Sequence, residues 1–175
     1  RARTIVRPML AKGLWNGAGV AAFLLSGEIL RALYQLDVAQ VGLSATAFGI
    51  GLGVGNLSTG ALRRLGCGEE GALVITTTLL GGCVAAFYLL PLPLPGALAC
   101  LAAWGAALGA GAPLSTAVLA KRSDRDKGAV LAAAETLNNV SILSLVPLAA
   151  PLLASGTAHQ AAGVLLAGLG IGIAL

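Results

Sequence analysis

The chain alternates between long apolar stretches and short polar segments, and this pattern predicts its elements. The six apolar stretches lie at about 14–33, 41–62, 72–90, 97–119, 129–153 and 161–175. A helix needs about 20 apolar residues to cross a bilayer, and backbone groups there must bond within their own segment. The predicted fold class is therefore all-α membrane, with six transmembrane helices. The last stretch stops near 15 residues, which predicts a fragment ending inside its sixth helix.

Composition strengthens the membrane interpretation. The chain is 57% hydrophobic and 10% charged, whereas soluble domains have about 25% charged residues. Residues 71–120 contain no charged side chain. The proline-rich segment Pro91–Gly96 divides this run into two spans. The net charge of +4 is consequently interpreted as a signal for membrane orientation, and nucleic acid is not an expected partner.

The basic residues predict how the chain is oriented. Ten of the eleven lysines and arginines lie on one side of the predicted spans: Arg1, Arg3, Arg7, Lys12, Arg63, Arg64, Lys121, Arg122, Arg125 and Lys127. Basic loops stay on the cytoplasmic side of a membrane. The pattern predicts a multi-pass protein of the inner or plasma membrane with both ends of this chain in the cytoplasm. The loops around Asp37, Pro93 and His159 would then face outward.

Motifs for enzymatic chemistry are missing from the sequence. One histidine cannot build a histidine-rich metal cluster. The chain has no Gly-x-Ser-x-Gly nucleophile motif and no glycine-rich phosphate loop followed by lysine. We therefore expect no catalytic residues, no metal and no cofactor. The cysteines at positions 83 and 100 lie in apolar spans and are interpreted as small buried hydrophobic residues.

Ionisable residues within the predicted spans are the first candidates for a functional role, because they are expensive in a bilayer. Glu28 and Arg31 lie in the first span, three residues apart, and can pair on one helix face. Glu28 is either a carboxylate that takes up and releases protons or half of a static pair near the outer boundary. Glu135, in the fifth span, is the alternative proton carrier.

Glu135 also begins a polar patch that contains Asn138 and Asn139. At about 100° per residue these three side chains share one helix face. They would either line a water-filled cavity or form a hydrogen-bond cluster that holds helices together. Asn16 in the first span and Trp104 in the fourth are weaker candidates for the same pathway.

Three stretches of the chain resemble the C-terminal half of the major facilitator superfamily, of the sugar-efflux and drug–proton antiporter type. Residues 48–56 (FGIGLGVGN) and 59–66 (TGALRRLG) look like the end of the eighth helix and its following loop. Residues 104–113 (WGAALGAGAP) are similar to the tenth helix, and residues 128–151 to the eleventh. The resemblance implies half of a twelve-helix fold, built from two inverted three-helix repeats and spanning residues 1–175.

The resemblance also implies a mechanism and partners. Two six-helix halves would rock around a central site to give alternating access. Small solutes or drugs would be exported in exchange for protons. The partners implied are the lipid bilayer, the N-terminal half of the same chain, a small-molecule substrate and protons. The first and fourth helices of each half line the central cavity in this family, and here they carry Glu28 and Trp104.

The loop after the second span is implied to act as a cytoplasmic latch. It contains Thr59, Arg63, Arg64 and Gly66. It departs from the family motif, Gly-x-Leu-x-Asp-Arg-x-Gly, because Thr59 replaces the first glycine and Arg63 replaces the aspartate. The usual contact of that aspartate with a helix end is therefore not expected.

A second hypothesis is a non-transporting membrane module with a packing or receptor role. It predicts that Glu28 and Glu135 are both paired and dry. A channel or a membrane enzyme is a third possibility that the missing motifs disfavour.

Overall fold

The computed structural model describes residues 2–64, 68–123 and 126–175, with side chains from residue 5 onward. This part of the chain forms six α-helices: α1 (Ala2–Tyr34), α2 (Val38–Arg63), α3 (Gly68–Leu89), α4 (Leu94–Arg122), α5 (Lys127–Ala154) and α6 (Ala158–Ala174). Each predicted span corresponds to one helix, which confirms the all-helical prediction, although α1 begins about twelve residues before its predicted span. Gly66 of the predicted latch lies outside the described residues.

Five of the described helices are long and apolar enough to cross a membrane, namely α1 from Ile5 onward and α2 to α5. The sixth, α6, is apolar but only 17 residues long. Local sequence explains where α2 begins. Asp37 caps α2 because its carboxylate accepts from the Gln40 backbone N–H at 2.8 Å, while the Gln40 side chain accepts from the Asp37 N–H at 2.9 Å.

The helices α1 and α4 form the centre of the bundle. The most extensive contacts join α2 to α4 and α1 to α5, followed by α3 to α4 and α1 to α6. The helices of the first half of the chain, α1 to α3, correspond in order to those of the second half, α4 to α6. Under this correspondence the α2–α4 pair matches the α5–α1 pair, and the α3–α4 pair matches the α6–α1 pair. The two halves of the chain thus use the same pairing pattern.

Glycines bring α2 and α4 into backbone contact. A Cβ atom added at Gly51 would lie 1.9 Å from the carbonyl oxygen of Ala102, and one at Gly55 would lie 2.1 Å from that of Ala106. The relation is reciprocal, because Gly105 and Gly109 of α4 have equally little room against α2. The close approach predicted for these small residues is therefore present.

Glycines also bring α1, the other central helix, close to α5. A Cβ on Gly13 would lie 2.5 Å from the Cβ of Leu137, and one on Gly17 would lie 2.5 Å from the Cβ of Ser141. These two glycines are one helical turn apart and face α5 together. They set the short α1–α5 spacing at the level of the polar patch.

Candidate ion-pathway site

The main polar feature of the bundle is an ion pair between α1 and α5 in which only the lysine is buried. The Lys12 ammonium lies 2.5 Å from a carboxylate oxygen of Glu135. The lysine side chain is only 3% exposed, whereas that of Glu135 is 55% exposed. The ammonium group of Lys12 thus lies inside the bundle, and the carboxylate that pairs with it lies at the surface.

A third helix completes the environment of this lysine. The Lys12 ammonium donates a hydrogen bond to the Thr116 hydroxyl of α4 at 3.0 Å. An ammonium has three N–H donors, and the described residues account for two of them. The site therefore joins α1, α4 and α5 through one charged group with one donor left over.

The amides of the polar patch divide between two environments. Asn138 is buried, and its side-chain oxygen has no hydrogen-bond partner among the described residues. Asn139 is exposed, as is Glu135. The shared face predicted for the three residues is therefore split by α1, whose Gly13 and Gly17 pack over Asn138. Asn16 is also buried, one turn beyond Lys12 on α1.

Glu28 and Arg31 lie apart from this site, toward the other end of α1. Both are exposed and line the same open surface depression. None of the ion pairs within the described ranges joins them, so the pairing expected from their spacing is not formed. Glu28 as a proton carrier remains a prediction.

Trp104 lies in the aromatic core between helices. It is fully buried and makes edge-to-face contacts with Phe23, Phe48 and Phe87 at centroid distances of 5.9–6.4 Å. Its indole N–H has no partner in the part of the chain that the structure describes. In this arrangement Trp104 packs in the core of the bundle, and its part in a pathway stays a prediction.

The basic residues at the predicted cytoplasmic ends pair with two glutamates at the start of α3. Glu69 lies 2.7 Å from Lys121 and 3.6 Å from Arg63, and Glu70 pairs with Arg122. The Thr59 hydroxyl bonds to the Asn56 carbonyl of its own helix at 2.9 Å, and Arg64 caps α2. Glu69 thus supplies a carboxylate to Arg63 from the start of the next helix.

Sequence reasoning missed the role of Lys12 and of Glu69. The position of Lys12 before the first apolar stretch groups it with the basic cytoplasmic segment, yet α1 continues through it. One available signal was the spacing of Gly13 and Gly17, which marks a helix-packing face beginning before the predicted span.

No protein-family model, curated protein or solved structure matches this chain.

Proposed function

We propose that this chain is a membrane-embedded half of a secondary transporter that moves small solutes by alternating access, with protons as the coupling ion. The observation that carries the proposal is the pair of Lys12 and Glu135, in which a buried cation meets a half-exposed carboxylate. Charged groups inside a membrane bundle are costly and mark ion or substrate pathways.

The chemistry of the pair suits proton coupling. Glu135 at the bundle surface can exchange protons with a water-filled cavity, and its charge controls whether Lys12 is compensated. Protonation would leave the ammonium with neutral hydrogen-bond acceptors only and without its counter-charge among the described residues. The two protonation states of Glu135 therefore favour different arrangements of α1, α4 and α5, which gives a carboxylate control over helix packing. Glu135 is therefore the proton carrier in this proposal, in place of Glu28.

The helix pairing supports a transporter architecture. Both halves of the chain use equivalent contacts around α1 and α4, as expected for two three-helix repeats. With alternating spans, α1 and α4 run in opposite directions through the membrane, which is what an inverted repeat requires. Lys12 and Thr116 are on these two helices, which line the central site in this proposal.

The surfaces of α2 and α5 suit the proposed partner, the other six-helix half. These two helices are the least buried of the five long apolar ones. Large apolar side chains are exposed on both, including Leu43, Ile50 and Leu57 of α2 and Leu143 and Leu148 of α5. The helix α5 also exposes the polar side chains of Glu135 and Asn139. A surface of this mixed kind fits a second helical unit and a water-filled cavity better than lipid alone.

The alternative, a non-transporting membrane module, requires dry and paired carboxylates. Glu28 is exposed without an ion pair among the described residues, and Glu135 is paired but more than half exposed. These observations favour the transporter over the module.

The proposed topology leads to a direct prediction. In a variant without its natural cysteines, Cys at position 159 should react with a membrane-impermeant maleimide added to intact cells, because that loop faces outward. Cys at position 122 should react only after the cells are opened. Labelling of position 122 in intact cells would contradict the orientation.

Transport itself is tested with the full-length protein in proteoliposomes. We expect an imposed pH gradient to drive accumulation of at least one member of a panel of amphipathic dyes and radiolabelled sugars. Protein-free liposomes and a protonophore provide the controls. Folded protein that moves no member of the panel, with or without the gradient, would support the module instead.

A further inference from the structure

An open depression near the end of α1 contains two opposite charges that do not pair with each other. It has a volume of about 430 Å³, and its lining residues are Glu28, Arg31, Ala32, Gln35 and Leu36. Glu28 and Arg31 are both exposed, and none of the ion pairs among the described residues includes either of them. The depression therefore presents one carboxylate and one guanidinium to a ligand.

The face of α1 that carries these two charges packs against α5 only farther back along the helix. Gly17 lies against Ser141 of α5. Glu28 and Arg31 follow Gly17 by 11 and 14 residues, so at about 100° per residue both lie within about 40° of it around the helix. The helix α5 thus covers this stripe at Gly17, whereas the stripe is exposed at Glu28 and Arg31.

The end of α1 supplies the apolar part of the depression. Gln35, which follows the last residue of α1, has a φ of 55° in the left-handed region, and this turns the chain. The Gln35 side-chain amide donates to the Ala32 carbonyl oxygen at 3.1 Å. Ala32, before the turn, and Leu36, after it, both line the depression. Two apolar side chains thus accompany the two charges.

We propose that this depression binds a free zwitterion, a small molecule with one ammonium, one carboxylate and an apolar body, such as an apolar amino acid. The ligand carboxylate pairs with Arg31, whose planar fork of donors matches a carboxylate. The ligand ammonium pairs with Glu28, and the apolar body lies against Ala32 and Leu36. A zwitterion compensates both charges without adding a net charge, whereas a simple anion or cation leaves one of them uncompensated.

The order of the charges along α1 favours a free zwitterion over a lipid headgroup. Arg31 is nearer the end of the helix than Glu28, by about 4.5 Å along the axis. Phosphatidylethanolamine has its phosphate next to the hydrocarbon and its ammonium farther out. This lipid would therefore need the cation of the protein at the deeper position and the carboxylate at the outer one, which is the reverse of the order in α1.

L-Leucine is a suitable probe because it combines both charged groups with an apolar side chain. Equilibrium dialysis of radiolabelled L-leucine would use the full-length protein in dodecyl maltoside, an uncharged detergent, with protein-free micelles as the blank. We expect saturable binding. Leucinamide lacks the carboxylate and 4-methylpentanoate lacks the ammonium, so neither should displace leucine at an equal concentration.

Variants of the two charged residues show which group of the ligand each one recognises. Glu28→Gln and Arg31→Gln should each weaken leucine binding about tenfold or more, the loss expected for a charge-assisted hydrogen bond. Glu28→Gln should also abolish the preference for leucine over 4-methylpentanoate, and Arg31→Gln the preference over leucinamide. Unchanged leucine affinity in either variant would overturn the proposal.

Matched controls remove one charge of each sign outside the depression. Glu70 and Lys121 are both exposed, and each pairs with a residue that does not line the depression. Glu70→Gln and Lys121→Gln should therefore leave leucine affinity unchanged. Losses as large as those of Glu28→Gln and Arg31→Gln would show a general charge effect and overturn the site.

A second measurement separates the free zwitterion from a lipid headgroup. Leucine binding in nanodiscs that contain phosphatidylethanolamine should equal that in micelles. Loss of leucine binding there, with retention of the lipid that depends on Glu28 and Arg31 in mass spectra, would assign the depression to a lipid and overturn the proposal. Absence of saturable leucine binding in both preparations would also overturn it. Neither result bears on transport through the Lys12–Glu135 pair, because that pair does not line the depression.

Discussion

Removing the carboxylate of Glu135 will destabilise the protein far more than removing the ammonium of Lys12. The reason is the unequal burial of the two partners, at 55% and 3% exposure. In Glu135→Gln, the buried ammonium keeps neutral acceptors, the Thr116 hydroxyl and the new amide oxygen, but it loses its counter-charge among the described residues. Breaking a buried ion pair from one side costs about 3–5 kcal/mol, and we expect Glu135→Gln to lower the free energy of unfolding by about 3 kcal/mol.

Lys12→Met leaves a carboxylate that solvent can reach. Methionine keeps the apolar stem of the lysine, so most of its packing against the bundle is retained. The expected loss is about 1 kcal/mol or less, the range for pairs with an exposed partner. The double variant Lys12→Met/Glu135→Gln should recover most of the stability that Glu135→Gln alone loses, because no charge then remains buried.

Unfolding in mixed micelles with increasing dodecyl sulfate gives the free energy of unfolding of each of the three variants and of the wild type. Glu69→Gln is a useful control, because it removes a carboxylate whose two basic partners are exposed. Equal losses for Lys12→Met and Glu135→Gln, or no recovery in the double variant, would show that the pair is not buried on the lysine side.

Adding a single methyl group to the α2–α4 contact is expected to lower the free energy of unfolding by a similar amount. Gly105→Ala would place a Cβ 2.1 Å from the carbonyl oxygen of Phe48, and Gly55→Ala would place one 2.1 Å from that of Ala106. Backbone atoms cannot rotate away as a side chain can, so the two helices must separate. Overpacking of this kind typically costs about 1–3 kcal/mol, and both variants should unfold at lower dodecyl sulfate.

The same helix provides matched controls for this prediction. Gly49 and Gly53 have no atom within 4 Å of an added Cβ. Gly49→Ala and Gly53→Ala should keep wild-type stability or gain up to about 1 kcal/mol, the helix-propensity advantage of alanine. If Gly53→Ala destabilises as much as Gly55→Ala, the glycines of α2 act through the helix itself and not through its contact with α4.

The glycine run shows how far a sequence pattern can go. Glycines at every second position predict close helix packing but do not identify the partner. On a helix, a two-residue step is a rotation of about 200°, so Gly51 and Gly55 face away from Gly49 and Gly53. Only the fold shows that Gly51 and Gly55 contact α4, whereas Gly49 and Gly53 have no neighbouring atoms within 4 Å of an added Cβ. Hydropathy alone predicts the helices, because the apolar character of a span depends only on the residues within it.

The candidate site was harder to predict because it depends on contacts distant in the chain. Glu135 was found through its cost in an apolar span, but its partner is 123 residues away. Lys12 looked like one of several cytoplasmic cations because its position along the chain gives no sign of burial. Burial results from the close approach of α5 over Gly13 and Gly17. Trp104 likewise could be assigned to the core only when the three phenylalanines around it were placed.

Proton coupling through the Lys12–Glu135 pair is the central claim, and gradient-driven transport by charge-neutral variants tests it most directly. The measurement compares accumulation under an imposed pH gradient with substrate exchange at equal pH, in proteoliposomes of the full-length protein. The double variant Lys12→Met/Glu135→Gln should exchange substrate at equal pH yet fail to accumulate it under the gradient, while Glu28→Gln accumulates it normally. Gradient-driven accumulation by the double variant at the wild-type level, or its loss in Glu28→Gln alone, would contradict the claim.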